Sequence, residues 1–120
     1  MMGGLIPRKK ENICVDFDGV LNDYQGYDGD NLGRPRPGAK EFLEKLSKKY
    51  NVIIFSARNY TKIIPWLNKH NLQTYVHNVT GFKPAKVKCF VDDRAIQFDG
   101  DYDETLERIS NFRTYWEEDG

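Results

Sequence analysis

Short apolar runs alternate with amphipathic segments along the chain, and this alternation predicts an α/β fold. The apolar runs have the length and composition of buried strands and occupy residues 11–17, 51–57, 74–80 and 87–93. The amphipathic segments carry apolar residues at helical spacing and occupy residues 39–50, 61–71 and 103–116. Because strands that alternate with helices form a parallel sheet, we expect one α/β domain over residues 1–120, with helices on both faces of the sheet.

Apolar positions define the buried face expected of each helix. These positions are Phe42, Leu43, Leu46 and Tyr50 in the first helix, Ile63, Ile64 and Leu67 in the second, and Leu106, Ile109, Phe112 and Trp116 in the third. Thr61 is a candidate N-cap of the second helix, and Pro65 must then lie in the first turn or bend the helix.

A long connection separates the first strand from the first helix. Residues 19–38 are rich in Gly, Pro, Asp and Asn, which predicts irregular structure. Long loops in compact domains are usually functional or mobile. The part from Asn22 to Arg36 is therefore either a small flap over a site or a plain surface excursion.

Composition and charge restrict the class of protein. The chain has 120 residues and equal numbers of acidic and basic groups, 18 of each, so bulk charge does not drive nucleic-acid binding, although a local basic patch remains open. No apolar segment approaches the length of about 18 residues that spans a membrane. The first residues show no signal-peptide core, and we expect 1–11 to form a flexible tail.

The two cysteines suggest a reducing environment. Cys14 and Cys89 each lie inside an apolar run, and no C-x-x-C pair is present. We therefore expect two buried, reduced thiols in a cytoplasmic protein.

Polar residues gather where the predicted strands end. Ligands of open α/β sheets bind outside the carboxyl ends of the strands, and these ends carry Asp16 and Asp18, then Ser56, then Lys83, then Asp92 and Asp93. Clustered carboxylates repel one another unless a cation neutralises them. An all-oxygen set suits Mg²⁺ better than zinc, and Mg²⁺ held by carboxylates commonly binds phosphate substrates. The pattern predicts a magnesium-dependent phosphate chemistry.

The order of these groups resembles the haloacid dehalogenase (HAD) superfamily. VDFDGVL, residues 15–21, is similar to its first motif, IIFSAR at 53–58 to its second, FKP at 82–84 to its third and CFVDD at 89–93 to its fourth. The resemblance covers roughly Asn12 to Arg94 and fits a small phosphatase-like member. It implies a Rossmann-like parallel sheet flanked by helices.

The resemblance also implies roles for the four aspartates. Asp16 would be the nucleophile and a Mg²⁺ ligand. Asp18 would be the general acid and base, with its backbone carbonyl on the metal, and an acid at this position favours phosphatases over dehalogenases. Asp92 would be a direct ligand and Asp93 would act nearby, through water.

Two further groups would bind the phosphoryl group. Ser56 would donate a hydrogen bond to it, and Lys83 would neutralise charge on the nucleophile and the phosphate. Lys86, three residues further on, is a rival for the role of the site lysine.

No cap domain fits between the motifs. Only about 37 residues separate Asp18 from Ser56, a helix included, and 26 separate Ser56 from Lys83. Within loop 22–36, the candidate substrate contacts are Tyr24, Tyr27, Arg34 and Arg36. An open site would admit a large phosphorylated partner or a small one with little selectivity.

Three functions remain open at this point. The first is a Mg²⁺-dependent phosphomonoester hydrolase acting through an aspartyl-phosphate on a nucleotide, a sugar phosphate, a polynucleotide end or a phosphoprotein. The second is a HAD-like phosphate-binding or regulatory module without turnover, against which the intact set of acids argues. The third is a phosphotransferase. The oligomeric state is left open, and no membrane partner is expected.

Overall fold

Four parallel strands form the sheet of the computed structural model, which describes residues 9–23, 32–57 and 60–116. The strands are β1 (Glu11–Asp16), β2 (Tyr50–Phe55), β3 (Asn78–Thr80) and β4 (Phe90–Val91), in the order β3-β2-β1-β4. The helices are α1 (Ala39–Lys49), α2 (Tyr60–Lys69) and α3 (Tyr102–Asn111). The predicted α/β fold with a parallel sheet is confirmed.

The register of the sheet brings the strand ends to one level. Asp16 of β1 lies opposite Phe55 of β2, which lies opposite Thr80 of β3. On the other side of β1, Val15 pairs with Val91, so that Asp92 follows level with Asp16. Residues that follow each strand therefore emerge at a shared edge.

The core lies between one face of the sheet and the first two helices. Its side chains include Ile13, Val15 and Phe17 of β1 and the following turn, Val52 and Ile54 of β2, Leu43 of α1, and Ile63, Trp66 and Leu67 of α2. Successive side chains of a strand point to opposite faces, which places Cys14 and Ile53 on the other face, where both are also buried. Both faces of the sheet are therefore covered at its centre.

The third and fourth strands are shorter than the sequence predicts. Only Asn78–Thr80 of the predicted run 74–80 forms a strand, because Gln73–Tyr75 makes a 3₁₀ turn that follows the buried Leu72. β4 has two residues, and Cys89 before it is exposed, so the expectation of a second buried thiol is wrong.

The helices differ from the sequence prediction in detail. In α2, Trp66 is buried and Ile64 is exposed, Thr61 lies inside the helix, and Pro65 lies beyond the first turn. The expected buried face of α3 is wrong, since none of its residues is buried and Leu106 is 64 % exposed.

The two ends of the chain fall partly outside the described residues. Residues 1–8 of the predicted tail lie outside the described residues. Because β1 begins at Glu11, the predicted tail 1–11 is too long by at least one residue. Among the helices that the structure describes, none has the length and apolar character needed to cross a bilayer.

Candidate active site

The turn after β1 directs two carboxylates to the shared edge. The amide of Phe17 donates to the carbonyl of Phe55 (2.9 Å), and the carbonyl of Phe17 accepts from the amides of Val20 and Leu21. The Phe17 ring is buried, edge-on to Trp66. With Phe17 anchored in the core, Asp16 and Asp18 on either side of it are left half-buried at the surface.

Three carboxylates meet at this edge. One oxygen from each of Asp16, Asp92 and Asp93 lies within 4.8 Å of the other two, and all three residues are half-buried. Burial, together with the neighbouring carboxylates of Asp92, Asp18 and Asp93, raises the pKa of Asp16 from 3.8 to about 7, and Lys83 opposes this rise. This arrangement stores repulsion that a cation would relieve.

The donor set suits a hard divalent cation. All three groups supply oxygen, which fits Mg²⁺, and no thiolate or imidazole belongs to the cluster. The sequence analysis expects Asp93 to act through water, and in the structure one of its carboxylate oxygens lies within 4.8 Å of an oxygen of Asp16 and of one of Asp92. Asp18 is a neighbour of Asp16 but not one of these three, and its Oδ2 atom accepts a hydrogen bond from the Ser56 hydroxyl.

Ser56 closes the other side of the site. It follows β2, is 2 % exposed, and is fixed by donation from its amide to the carbonyl of Thr80 (3.1 Å). Its hydroxyl lies 3.3 Å from Oδ2 of Asp18. A cavity of about 160 Å³ opens here, lined by Asp16, Asp18, Phe55, Ser56, Ala57, Asp93 and Arg94. Arg94 is the one cation among these lining residues.

Lys83 rather than Lys86 approaches the carboxylates. The Nζ atom of Lys83 is 3.6 Å from Oδ2 of Asp92 and also lies 5.3 Å from the centroid of the Phe90 ring. Lys86 lines a different concavity, near the amino-terminal ends of β1 and β2. The structure therefore brings together Asp16, Asp18, Ser56, Lys83, Asp92 and Asp93 and leaves Lys86 outside.

The comparisons with known proteins give one finding. A sequence model of the NLI interacting factor-like phosphatase family matches residues 7–83, more than half of the chain. The chain belongs to this family. It is accordingly a phosphatase of the HAD-like type, as the resemblance predicted. Neither the curated proteins nor the solved structures gave a match.

The family match ends at Lys83, before the last acidic pair of this NLI interacting factor-like phosphatase. Asp92 and Asp93 lie outside the matched residues. The pairing of β4 with β1 brings them next to Asp16, which lies inside the match. The match includes Asp16, Asp18 and Ser56 within its range.

The sequence analysis missed the contribution of residues 112–116, here called the C-terminal segment. The indole Nε1 of Trp116 donates to Oδ2 of Asp93 (2.8 Å), and the Tyr115 hydroxyl donates to the carbonyl of Gly19. The guanidinium of Arg36 lies 4.7 Å from the centroid of the Tyr115 ring. The sequence analysis expected Trp116 to pack in the core. An indole N–H removed from water needs an acceptor, and this requirement could have indicated that Trp116 contacts a polar group.

Gly19 is the residue that lets the phosphatase bring its first and last motifs together. Its φ is +82°, and a Cβ there would collide with the carboxylate of Asp93. Its amide donates to Oδ1 of Asn22 (2.8 Å). Glycine is required here by both the backbone conformation and the close approach.

Loop 22–36 is closed at its base. Asn22 and Pro35 form an antiparallel bridge, the amide of Asp23 donates to the carbonyl of Arg34 (2.7 Å), and the buried Asn22 side chain donates to the carbonyl of Leu32 (2.8 Å). Tyr24 and Tyr27, two of the candidate substrate contacts, lie outside the described residues. Arg34 is exposed, and Arg36 contacts Tyr115.

Proposed function

We propose that this phosphatase is a Mg²⁺-dependent phosphomonoester hydrolase that works through an aspartyl-phosphate on Asp16. The observation that supports it most is the convergence of Asp16, Asp92 and Asp93, whose ligand oxygens lie within 4.8 Å of one another beside Asp18 and Ser56. Such a cluster of acids costs free energy without a cation. It therefore indicates a site built for a metal and a phosphate group.

In the first step, a carboxylate oxygen of Asp16 attacks phosphorus. A bond forms between this oxygen and phosphorus while the bond from phosphorus to the ester oxygen breaks. Asp18, in its protonated form, gives its proton to the departing oxygen, which leaves as an alcohol. Ser56, whose hydroxyl is 3.3 Å from Asp18, donates to a phosphoryl oxygen.

In the second step, water removes the phosphoryl group from Asp16. The Asp18 carboxylate accepts a proton from the water as its oxygen attacks phosphorus, and the bond between phosphorus and the Asp16 oxygen breaks. Inorganic phosphate leaves, and both aspartates return to their starting forms. Lys83, whose Nζ atom is 3.6 Å from Oδ2 of Asp92, adds positive charge beside the carboxylates.

The metal would be held by Asp16, Asp92 and Asp93. When bound there, Mg²⁺ neutralises the carboxylates and the charge that develops on the phosphoryl oxygens. This role accounts for the three acidic side chains among the described residues that line the cavity, where Arg94 is the one cation.

Removal of the metal tests the proposal directly. We expect phosphate release from p-nitrophenyl phosphate to fall by at least about 100-fold in EDTA, because several kcal/mol of charge stabilisation are withdrawn. Excess Mg²⁺ should restore the rate, and Mg²⁺ should raise the melting temperature because it binds the folded chain. Equal rates in EDTA and in Mg²⁺ would contradict the proposal.

Trp116→Phe is expected to weaken Mg²⁺ binding by about 10-fold or more, because loss of an outer partner of a metal ligand commonly has this effect. The indole N–H that orients Asp93 is removed and a ring is retained. The measurement is a Mg²⁺ titration followed by melting temperature, with circular dichroism of the metal-free chain as a check on the fold.

Tyr75→Phe is the matched control for Trp116→Phe. It removes one hydroxyl that bonds Glu44 (3.3 Å), far from the cluster, and should leave Mg²⁺ affinity unchanged. In an Asp93→Ala background, which has no acceptor for the indole, Trp116→Phe should add nothing, since both changes act on one interaction. An unchanged Mg²⁺ affinity in Trp116→Phe alone would show that the indole does not orient Asp93.

A further inference from the structure

The segment between β3 and β4, residues 81–89, carries lysines from the active site to the opposite end of the sheet. We call it the return segment. Lys83 lies at Asp92, beyond the end of β4, whereas the amide of Lys88 donates to the carbonyl of Asn12, near the start of β1. Asp16 lies four residue steps along β1 from Asn12, a distance of about 13 Å. The return segment therefore spans the sheet from the catalytic edge to the other edge.

A basic concavity lies at the far end of the return segment. Its volume is about 470 Å³. Among the described residues that line it, Lys9, Lys10, Lys86 and Lys88 are basic and Glu11 is the one acidic residue. None of these four lysines forms an ion pair with a carboxylate in the part of the chain that the structure describes. All four are exposed. In a chain of zero net charge, this is a local excess of positive charge.

Exposed aromatic rings stand beside the lysines at the catalytic end of this path. Phe82 is 75 % exposed and precedes Lys83, and Phe90 is 44 % exposed. The Nζ atom of Lys83 lies 5.3 Å from the centroid of the Phe90 ring. Both rings therefore present accessible aromatic faces at the catalytic end of the return segment.

We propose that the return segment and the basic concavity bind a single-stranded nucleic acid whose terminal phosphomonoester enters the active site. This inference rests on the proposed function. Proteins that bind single strands combine a positively charged path for the phosphates with aromatic faces on which bases stack, and both are present along residues 82–90. The lysines supply point charges without sequence readout, so the binding is independent of base sequence.

A phosphorylated acidic peptide is the competing ligand, and the aromatic rings decide between them. The lysines would attract either polyanion, but Phe82 and Phe90 offer stacking faces that an acidic peptide leaves uncovered. A path of about 13 Å with lysines at both ends also suits a chain with a negative charge at every unit.

The test compares substrates in the presence of Mg²⁺. We expect kcat/KM for a phosphorylated single strand of about ten nucleotides to exceed that of the matching mononucleotide and of a phosphoserine peptide by about 10-fold or more. Binding of the unphosphorylated strand, followed by fluorescence anisotropy, should weaken steeply with salt.

The variant that tests the surface is Lys86→Gln combined with Lys88→Gln. It should lower kcat/KM for the oligonucleotide and leave that for p-nitrophenyl phosphate unchanged. It should also reduce the slope of log affinity against log salt by about 1.4, since each single-strand phosphate contact contributes about 0.7. The control with the same change in net charge is Lys40→Gln combined with Lys69→Gln, on exposed positions of α1 and α2.

The outcomes separate the surface from the catalysis. Hydrolysis of p-nitrophenyl phosphate without oligonucleotide preference or binding would overturn the proposed nucleic-acid surface and leave the proposed function standing. Salt-dependent oligonucleotide binding without phosphate release from any substrate would overturn the proposed function and leave the nucleic-acid surface standing. A preference for the phosphopeptide, or equal losses in the two double variants, would also overturn the proposal.

Discussion

Asp16→Asn is expected to lower phosphate release by about 10⁴-fold or more while the fold is retained, because an amide oxygen cannot form the covalent intermediate. Asp16 ends β1 in a well-packed part of the sheet, and its main-chain pairing with Phe55 is unaffected by the change. The measurement is phosphate release in Mg²⁺, with circular dichroism as a check on the fold.

The same substitution should stabilise the metal-free protein. Burial and neighbouring carboxylates raise the pKa of Asp16 from 3.8 to about 7. The folded chain therefore holds a proton on Asp16 between these values, and the penalty for its charge is full above about pH 7 and fades as the pH falls toward 4. In EDTA, the gain in melting temperature of Asp16→Asn should be larger at pH 8 than at pH 5.

An exposed carboxylate serves as the control. Asp103→Asn, at the start of α3, should change neither the rate nor the pH dependence of the melting temperature. Near wild-type activity in Asp16→Asn would refute the covalent mechanism. A stability gain independent of pH would show that repulsion at Asp16 is not its source.

Asp18→Asn should lower turnover by about 10²–10⁴-fold, the range typical of a positioned acid or base. The loss should fall mainly on the second step when the substrate is p-nitrophenyl phosphate, because p-nitrophenolate leaves without needing a proton. Asp16 would then be phosphorylated in one fast turnover, and the phosphoryl group would be hydrolysed from it slowly. We expect a burst of about one p-nitrophenolate per chain, followed by a slow phase.

The burst separates the two aspartates. Asp16→Asn should show no burst at all, and the acylphosphate formed by Asp18→Asn should be labile to hydroxylamine. A slow rate without a burst in Asp18→Asn would mean that Asp18 acts before the covalent step and not after it. Ser56→Ala, which removes the hydroxyl beside Asp18, is a useful comparison because it leaves the acid in place.

The strand pattern was readable from the sequence because the core strands are unambiguous. The apolar run around Val15 and the run around Ile54 are buried on both faces of the sheet and hold no competing local signal. The run at 74–80 was overestimated because Leu72 pulls the chain into a 3₁₀ turn first. The prediction that α3 buries its apolar face was wrong, because helical spacing predicts an apolar face but not the surface that covers it.

The site was predictable to the extent that it follows strand ends. Once the sheet is parallel, the side chains after β1, β2 and β4 must meet at one edge, and Asp16, Ser56 and Asp92 do so. Trp116 and Tyr115 could not be found this way. They follow α3 and contact the site across 96 residues of sequence, from Tyr115 to Gly19, and across 23 residues, from Trp116 to Asp93. No local spacing encodes such contacts.

The closed base of loop 22–36 has a consequence for how this fold can change size. Asn22 and Pro35 form a bridge, and the Asn22 side chain is hydrogen-bonded to Gly19 and Leu32. These contacts hold the turn after β1 in place whatever the length of the loop that they close. Lengthening a loop adds little entropic cost, about 0.6 kcal/mol for each doubling. This clamp therefore makes the position a natural insertion point, where an additional lid-like domain can be gained or lost during evolution, or engineered, without moving Asp16.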